Sequence, residues 1–139
     1  MTILNRLTRK SILVIDAAVC GAASLLLIAA AGPLGDLLDL PFGLIRIAGA
    51  ILIPWTALLI AIGTRPTIGR APMDAVIAGN LLWVAASAML LTGDRFDPNP
   101  LGFAFVILQA VVVAVFALVQ IVQTLEPGRN QAWTTTSRT

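Results

Sequence analysis

Residues Ala71–Leu91, APMDAVIAGNLLWVAASAMLL, constrain this chain more than any other stretch. They run for about 21 positions with one carboxylate near the start, Asp74, and one amide near the middle, Asn80. At 1.5 Å per residue, a helix of that length covers ~30 Å, the thickness of a bilayer's hydrocarbon core. The stretch also has a counterpart. With Asp16 set on Asp74, both segments read Asp-Ala, Gly21 falls on Gly79, and a long Ala/Leu/Ser run follows. Each ends in the same loop skeleton, Gly35-Asp36-x-x-Asp39 and Gly93-Asp94-x-x-Asp97. One inserted residue later, Pro41-x-Gly43 matches Pro100-x-Gly102. The pattern predicts one helical hairpin written twice, with a period of about 58–59 residues.

Composition agrees. Of 139 residues, 58% are hydrophobic and 12% charged, about half the ~25% charge of a soluble domain. This places the chain in the integral membrane class. A single cysteine, Cys20, excludes an intrachain disulfide. Histidine and tyrosine are absent, which removes the commonest metal ligand and the usual general base. The net charge of +2 gives no reason to expect nucleic acid as a partner.

Four apolar runs can be delimited. Ile12–Ala31 follows a basic start containing Arg6, Arg9 and Lys10. It exceeds the ~7–15 residues of a signal-peptide core, carries Asp16 and has a second copy downstream, so it reads as a retained first span. Gly32–Leu40 reads as a loop opened by Gly32-Pro33. Pro41–Gly63 is the second span, with Pro54 inside it. Thr64–Arg70 is a basic loop, and Ala71–Leu91 is the third span. In the loop TGDRFDPN, Asn99 before Pro100 reads as an N-cap followed by the first helical position. Leu101–Val122 is the fourth span. The expected architecture is an all-α membrane protein of four transmembrane helices. It forms one domain over residues 1–124, built from tandem hairpins 11–63 and 71–124, with a polar tail over 125–139. Lys and Arg favour one side: three at the N-terminus, two in the second loop and two in the tail, against none in the first loop and one, Arg95, in the third. The positive-inside rule then predicts cytoplasmic termini in a bacterial-type inner membrane, with Asp36, Asp39, Asp94 and Asp97 outside. Two spans per repeat put the pseudo-two-fold axis along the membrane normal.

The candidate intramembrane polar site comprises Asp16, Asp74, Arg46, Asn80, Gln109, Gln120 and Gln123. Asp16 and Asp74 lie about a turn inside the cytoplasmic helix ends. They read either as a proton- or cation-handling pair or as interfacial charges favoured by the helix dipole, with Arg70 in reach of Asp74. Arg46 lies about a turn from the outer end of the second span and is expected to snorkel toward the outer aspartates; the other reading is an anchor for an anionic headgroup or substrate. Asn80 and Gln109 sit near mid-bilayer on neighbouring antiparallel spans, where an interhelical hydrogen bond is expected. Gln109, Gln120 and Gln123 share one helix face, which would also suit a polar cavity wall. Trp55 and Trp83 lie inside spans rather than at the interfaces. They either fill space or line a pocket for a flat apolar ligand. Ala17, Ala18, Gly21, Ala22 and Ser24 form small-residue faces suited to close helix approach. Two aspartates in each outer loop could bind a divalent cation but read more simply as solvated charges.

No nucleophile has a histidine to activate it, no Gly-rich phosphate loop precedes a helix, and no cofactor ligand set is visible. The leading expectation is a non-enzymatic accessory or interaction protein that packs among membrane lipids with itself or with a larger membrane complex. The alternative is a small transporter or channel-like protein for a cation, proton or amphipathic solute. The alternative requires the buried polar groups to converge on a cavity open to water.

Overall fold

The structure, a computed structural model, describes residues 8–125, and they are helical apart from short connections. α1 spans Arg9–Ala29, α2 Ala31–Leu38, α3 Phe42–Gly63, α4 Arg70–Thr92 and α5 Pro100–Leu125. The polar tail beyond Leu125 and the basic residue Arg6 lie outside the described residues. α1, α3, α4 and α5 are each long and apolar enough to cross a bilayer. Their ends fall within three residues of the expected limits, and that of α3 at Gly63 coincides, which reflects how sharply loop charge and Gly/Pro bound an apolar run.

The outward surface supports the same reading. Leu25, Met89, Leu108 and Leu118 are among many large apolar side chains that are exposed on the outside of the bundle. A water-soluble monomer does not carry an apolar surface this extensive.

The segment 32–40, expected to be a loop, instead contains α2. Pro33 is the third residue of that helix, where its missing N–H has no intrahelical partner to lose, so it does not stop the helix. α2 ends at Asp39, whose left-handed backbone (φ 57°) lets the Leu40 N–H return to the Gly35 carbonyl at 3.1 Å. The second hairpin has no corresponding helix: Gly93–Asn99 runs directly into α5.

The main pairings are α1 along α3 and α4 along α5, with α1 also touching α5. Small residues set the first pairing. A methyl group at Gly49 would press on Leu27 and Ile28, and one at Gly21 would sit 3.4 Å from the Thr56 methyl. Ser24 donates to the Gly49 carbonyl at 2.9 Å across the same seam. The Ala17–Gly21–Ser24 face of α1, with Ala17 and Ser24 buried and Gly21 half-buried, is therefore used within the chain, while Ala18 and Ala22 face outward.

Both bundle ends are tied by polar contacts. At the basic end, the Arg9 guanidinium donates to the Ile68 carbonyl (3.0 Å) and the Gln123 carbonyl (3.2 Å), joining α1 to the α3–α4 loop and to α5. At the opposite end, Asn99 caps α5 by accepting from the Gly102 N–H at 2.8 Å, as its place before Pro100 predicts. Its side-chain amide also donates to the Leu37 carbonyl (2.8 Å), and its backbone N–H donates to that of Leu38 (3.2 Å). Two carbonyls left open at the end of α2 are thus satisfied from the other hairpin.

Candidate functional site: a buried polar clamp beside an apolar cleft

Three residues from three spans meet inside the bundle. Asp16 on α1 accepts at Oδ2 from Asn80 Nδ2 of α4 (3.1 Å) and from Gln120 Nε2 of α5 (3.0 Å). Asn80 Nδ2 also donates to Gln120 Oε1 at 3.0 Å, which closes a triangle. On the other carboxylate oxygen, the Cys20 thiol donates to Oδ1 at 3.4 Å, one helical turn along α1. Asp16 is 1%, Asn80 3% and Gln120 0% exposed. A carboxylate accepts but does not donate, so it orients both amides with their NH2 groups toward it. Buried polar groups are costly unless partnered, and here each partners the others.

The network joins the hairpins. Asp16 belongs to the first, and Asn80 and Gln120 to the second. Leu13 and Ala17 on α1, Val76 on α4 and Ala117 on α5, each within about one helical turn of a clamp residue, are buried as well.

Gln109 takes part in a separate cluster. Its Oε1 accepts from the Trp83 indole N–H at 2.7 Å, and its Nε2 donates to Ser87 Oγ at 2.9 Å and to the Val106 carbonyl at 3.1 Å. Ser87 Oγ in turn donates to the Trp83 carbonyl at 2.9 Å. The expected amide bond between the third and fourth spans exists, but Asn80 makes it with Gln120 rather than Gln109. Gln109 and Gln120 share a face yet lie eleven residues apart, ~16 Å along the axis, so antiparallel α4 meets them at different levels.

The remaining candidates lie elsewhere. Asp74, the repeat partner of Asp16, is on the surface: its side chain is 57% exposed and lies 3.7 Å from Arg70 Nε, the one ion pair among the described residues. The two aspartates thus have unlike surroundings despite their sequence register. Arg46 is exposed, with its guanidinium carbon 5.7 Å from the Phe42 ring centre. The expected pairing of Arg46 with an outer aspartate is not made. Asp36, Asp39, Asp94 and Asp97 are all exposed. Gln123 receives Arg9 at its backbone carbonyl.

Beside the clamp, a half-open cleft of about 520 Å³ lies between α3 and α4. Its walls are Ile51, Pro54, Trp55 and Leu58 on one side and Gly79, Leu82, Trp83 and Ala86 on the other; Cys20, Asn80 and Val113 also line it. Both tryptophans of the spans therefore line one cavity. Gly79 makes this possible, because a methyl group there would collide with the Trp55 ring. Cys20, Ser87 and Gly79 did not belong to the polar site expected from the sequence, yet each joins the clamp, the Gln109 cluster or the cleft. Cys20 could have been included, since Asp16 and Cys20 are four residues apart on one helix face.

The four long apolar helices, their polar contacts at both ends and their outward apolar surface define a small multi-pass membrane protein. No known protein family, curated protein or solved structure matches the chain.

Proposed function

We propose that this chain is a small non-enzymatic membrane protein with a structural or interaction role, packing with itself or with a larger membrane complex. The observation that carries this reading is the fate of the intramembrane polar groups. Asp16, Asn80 and Gln120 bind one another and pin the two hairpins together. Gln109 is likewise held by Trp83 and Ser87. Asp74, which a paired-carboxylate carrier would bring to Asp16, stays with Arg70 at the surface. Spans held by internal polar contacts leave their apolar outer faces for lipid or other helices. The excess of Lys and Arg at the end carrying Arg9, Lys10, Arg65 and Arg70 supports cytoplasmic termini in a bacterial-type inner membrane. The matching loop motifs support descent from a duplicated hairpin, in which α2 and the unlike aspartates mark where the halves diverged.

A second reading, a small-solute or cation transporter, is favoured by one observation: Asn80 joins the polar clamp to an open cleft. Purification in mild detergent followed by native mass measurement separates the two. Stoichiometric recovery with another membrane protein supports the interaction role. A lone homo-oligomer whose solute flux disappears in Asp16→Asn, with the melting temperature unchanged, replaces it with the transporter.

A further inference from the structure

The structure assigns a second property to the cleft between α3 and α4: we propose that it binds a compact apolar molecule dissolved in the bilayer and carrying one O–H or N–H donor. Its volume of about 520 Å³ falls in the ~300–1,000 Å³ range of small-molecule sites, which are mostly apolar with few polar groups. Trp55 and Trp83 supply flat walls, and Pro54, Leu58 and Leu82 supply the rest of the apolar lining.

The polar requirement comes from Asn80. Both of its donated hydrogen bonds go to the clamp, one to Asp16 and one to Gln120. Among the described residues no donor reaches its Oδ1, although the residue is 3% exposed and lines the cleft. An amide oxygen at that depth has no bulk water to accept from, so an incoming donor gains a hydrogen bond there. The clamp fixes the orientation: Asn80 cannot turn its oxygen inward without presenting it to the Asp16 carboxylate.

The occupant is small for the same reasons. A lipid acyl chain offers Asn80 no donor. A partner helix has its backbone donors engaged internally and measures ~10 Å across with side chains, more than a cleft of this volume admits over several turns. Trp55 against Gly79 closes one wall, which favours a compact outline over an extended one.

The test uses tryptophan quenching by two probes of equal shape, a bromoadamantane and the matching bromoadamantanol, at equal mole fraction in the detergent or bilayer phase. A Trp133→Phe background leaves Trp55 and Trp83 as the reporting indoles. The expected result is saturable quenching, with the alcohol half-saturating at a ~2–10-fold lower mole fraction, the value of one net hydrogen bond. Ala86→Phe fills the cleft without touching the clamp and should abolish saturation for both probes. Asn80→Leu should erase the preference for the alcohol in protein that melts cooperatively. Quenching that rises linearly and ignores Ala86→Phe would overturn the site. Equal half-saturation by both probes would overturn the donor requirement. Either result leaves the interaction role standing, since that rests on co-purification.

Discussion

Asp16 and Gln120, 104 positions apart, are joined by a 3.0 Å hydrogen bond between the first and last helices of the bundle. With Asn80 completing the triangle, this is the contact through which the two hairpins recognise each other in the interior. Apolar packing alone discriminates poorly between helices in lipid, where the surroundings are as apolar as the interface. A buried polar triangle gives the association one preferred register.

Replacing Asp16 with Leu leaves two buried amides short of an acceptor and should cost about 1–3 kcal/mol. Asp74→Asn, at an exposed pair, should cost less than ~0.5 kcal/mol. Thermal or denaturant unfolding in detergent measures both. The combined Asp16→Leu/Gln120→Leu variant should lose less than the sum of the single changes, because the residues share a network. Equal effects at Asp16 and Asp74 would contradict the burial of the one and the exposure of the other.

Two helical glycines should respond to alanine with opposite signs. At Gly102 a methyl group would run into the Leu38 carbonyl, backbone that cannot step aside, so Gly102→Ala should lower the melting temperature. Gly43 has nothing within 4 Å of the position a methyl group would take. Gly43→Ala should raise stability by up to ~1 kcal/mol through helix propensity.

Asn99→Ala removes both the cap of α5 and the link to Leu37, with an expected cost of ~1 kcal/mol or more. Asn99→Asp retains an acceptor for the Gly102 N–H but loses the donor to Leu37, and should fall between wild type and Ala. Amide exchange should accelerate at the start of α5 in both variants. In Asn99→Ala the change should be larger, and an exchange pattern identical to wild type would refute the tie.

The proposed orientation makes a labelling prediction. A cysteine at Asp97 should react with an impermeant thiol reagent added outside intact cells, and one at Arg65 should react only after the membrane is opened. The native Cys20 is buried and should remain silent in both. The reverse pattern would invert the topology.

The spans were legible in the sequence because a bilayer demands uninterrupted apolar length, and Ala71–Leu91 and its companions meet that demand in plain letters. α2 was not legible, because Gly32-Pro33 carries the composition of a stop while Pro33 occupies a first-turn position that tolerates it. Asp16, Asn80 and Gln120 each stood out as polar residues in apolar runs. Their convergence did not, because helical period fixes which face a residue occupies but not which helix that face meets. The repeat suggested pairing Asp16 with Asp74. Folding instead gave Asp16 two amides from the second hairpin and left Asp74 beside Arg70.

The clamp also bears on the birth of the protein. Asp16 enters the membrane with α1, before the amide of Gln120 on α5 is synthesised. Until α5 emerges, the carboxylate has at most one of its two amide donors. Without α5, Asp16 keeps Asn80 and the Cys20 thiol but lacks the Gln120 donor, a less satisfied acid than in the complete bundle. The acid of α1 thus waits on an amide of α5, so the two hairpins are held in one register only once both lie in the membrane.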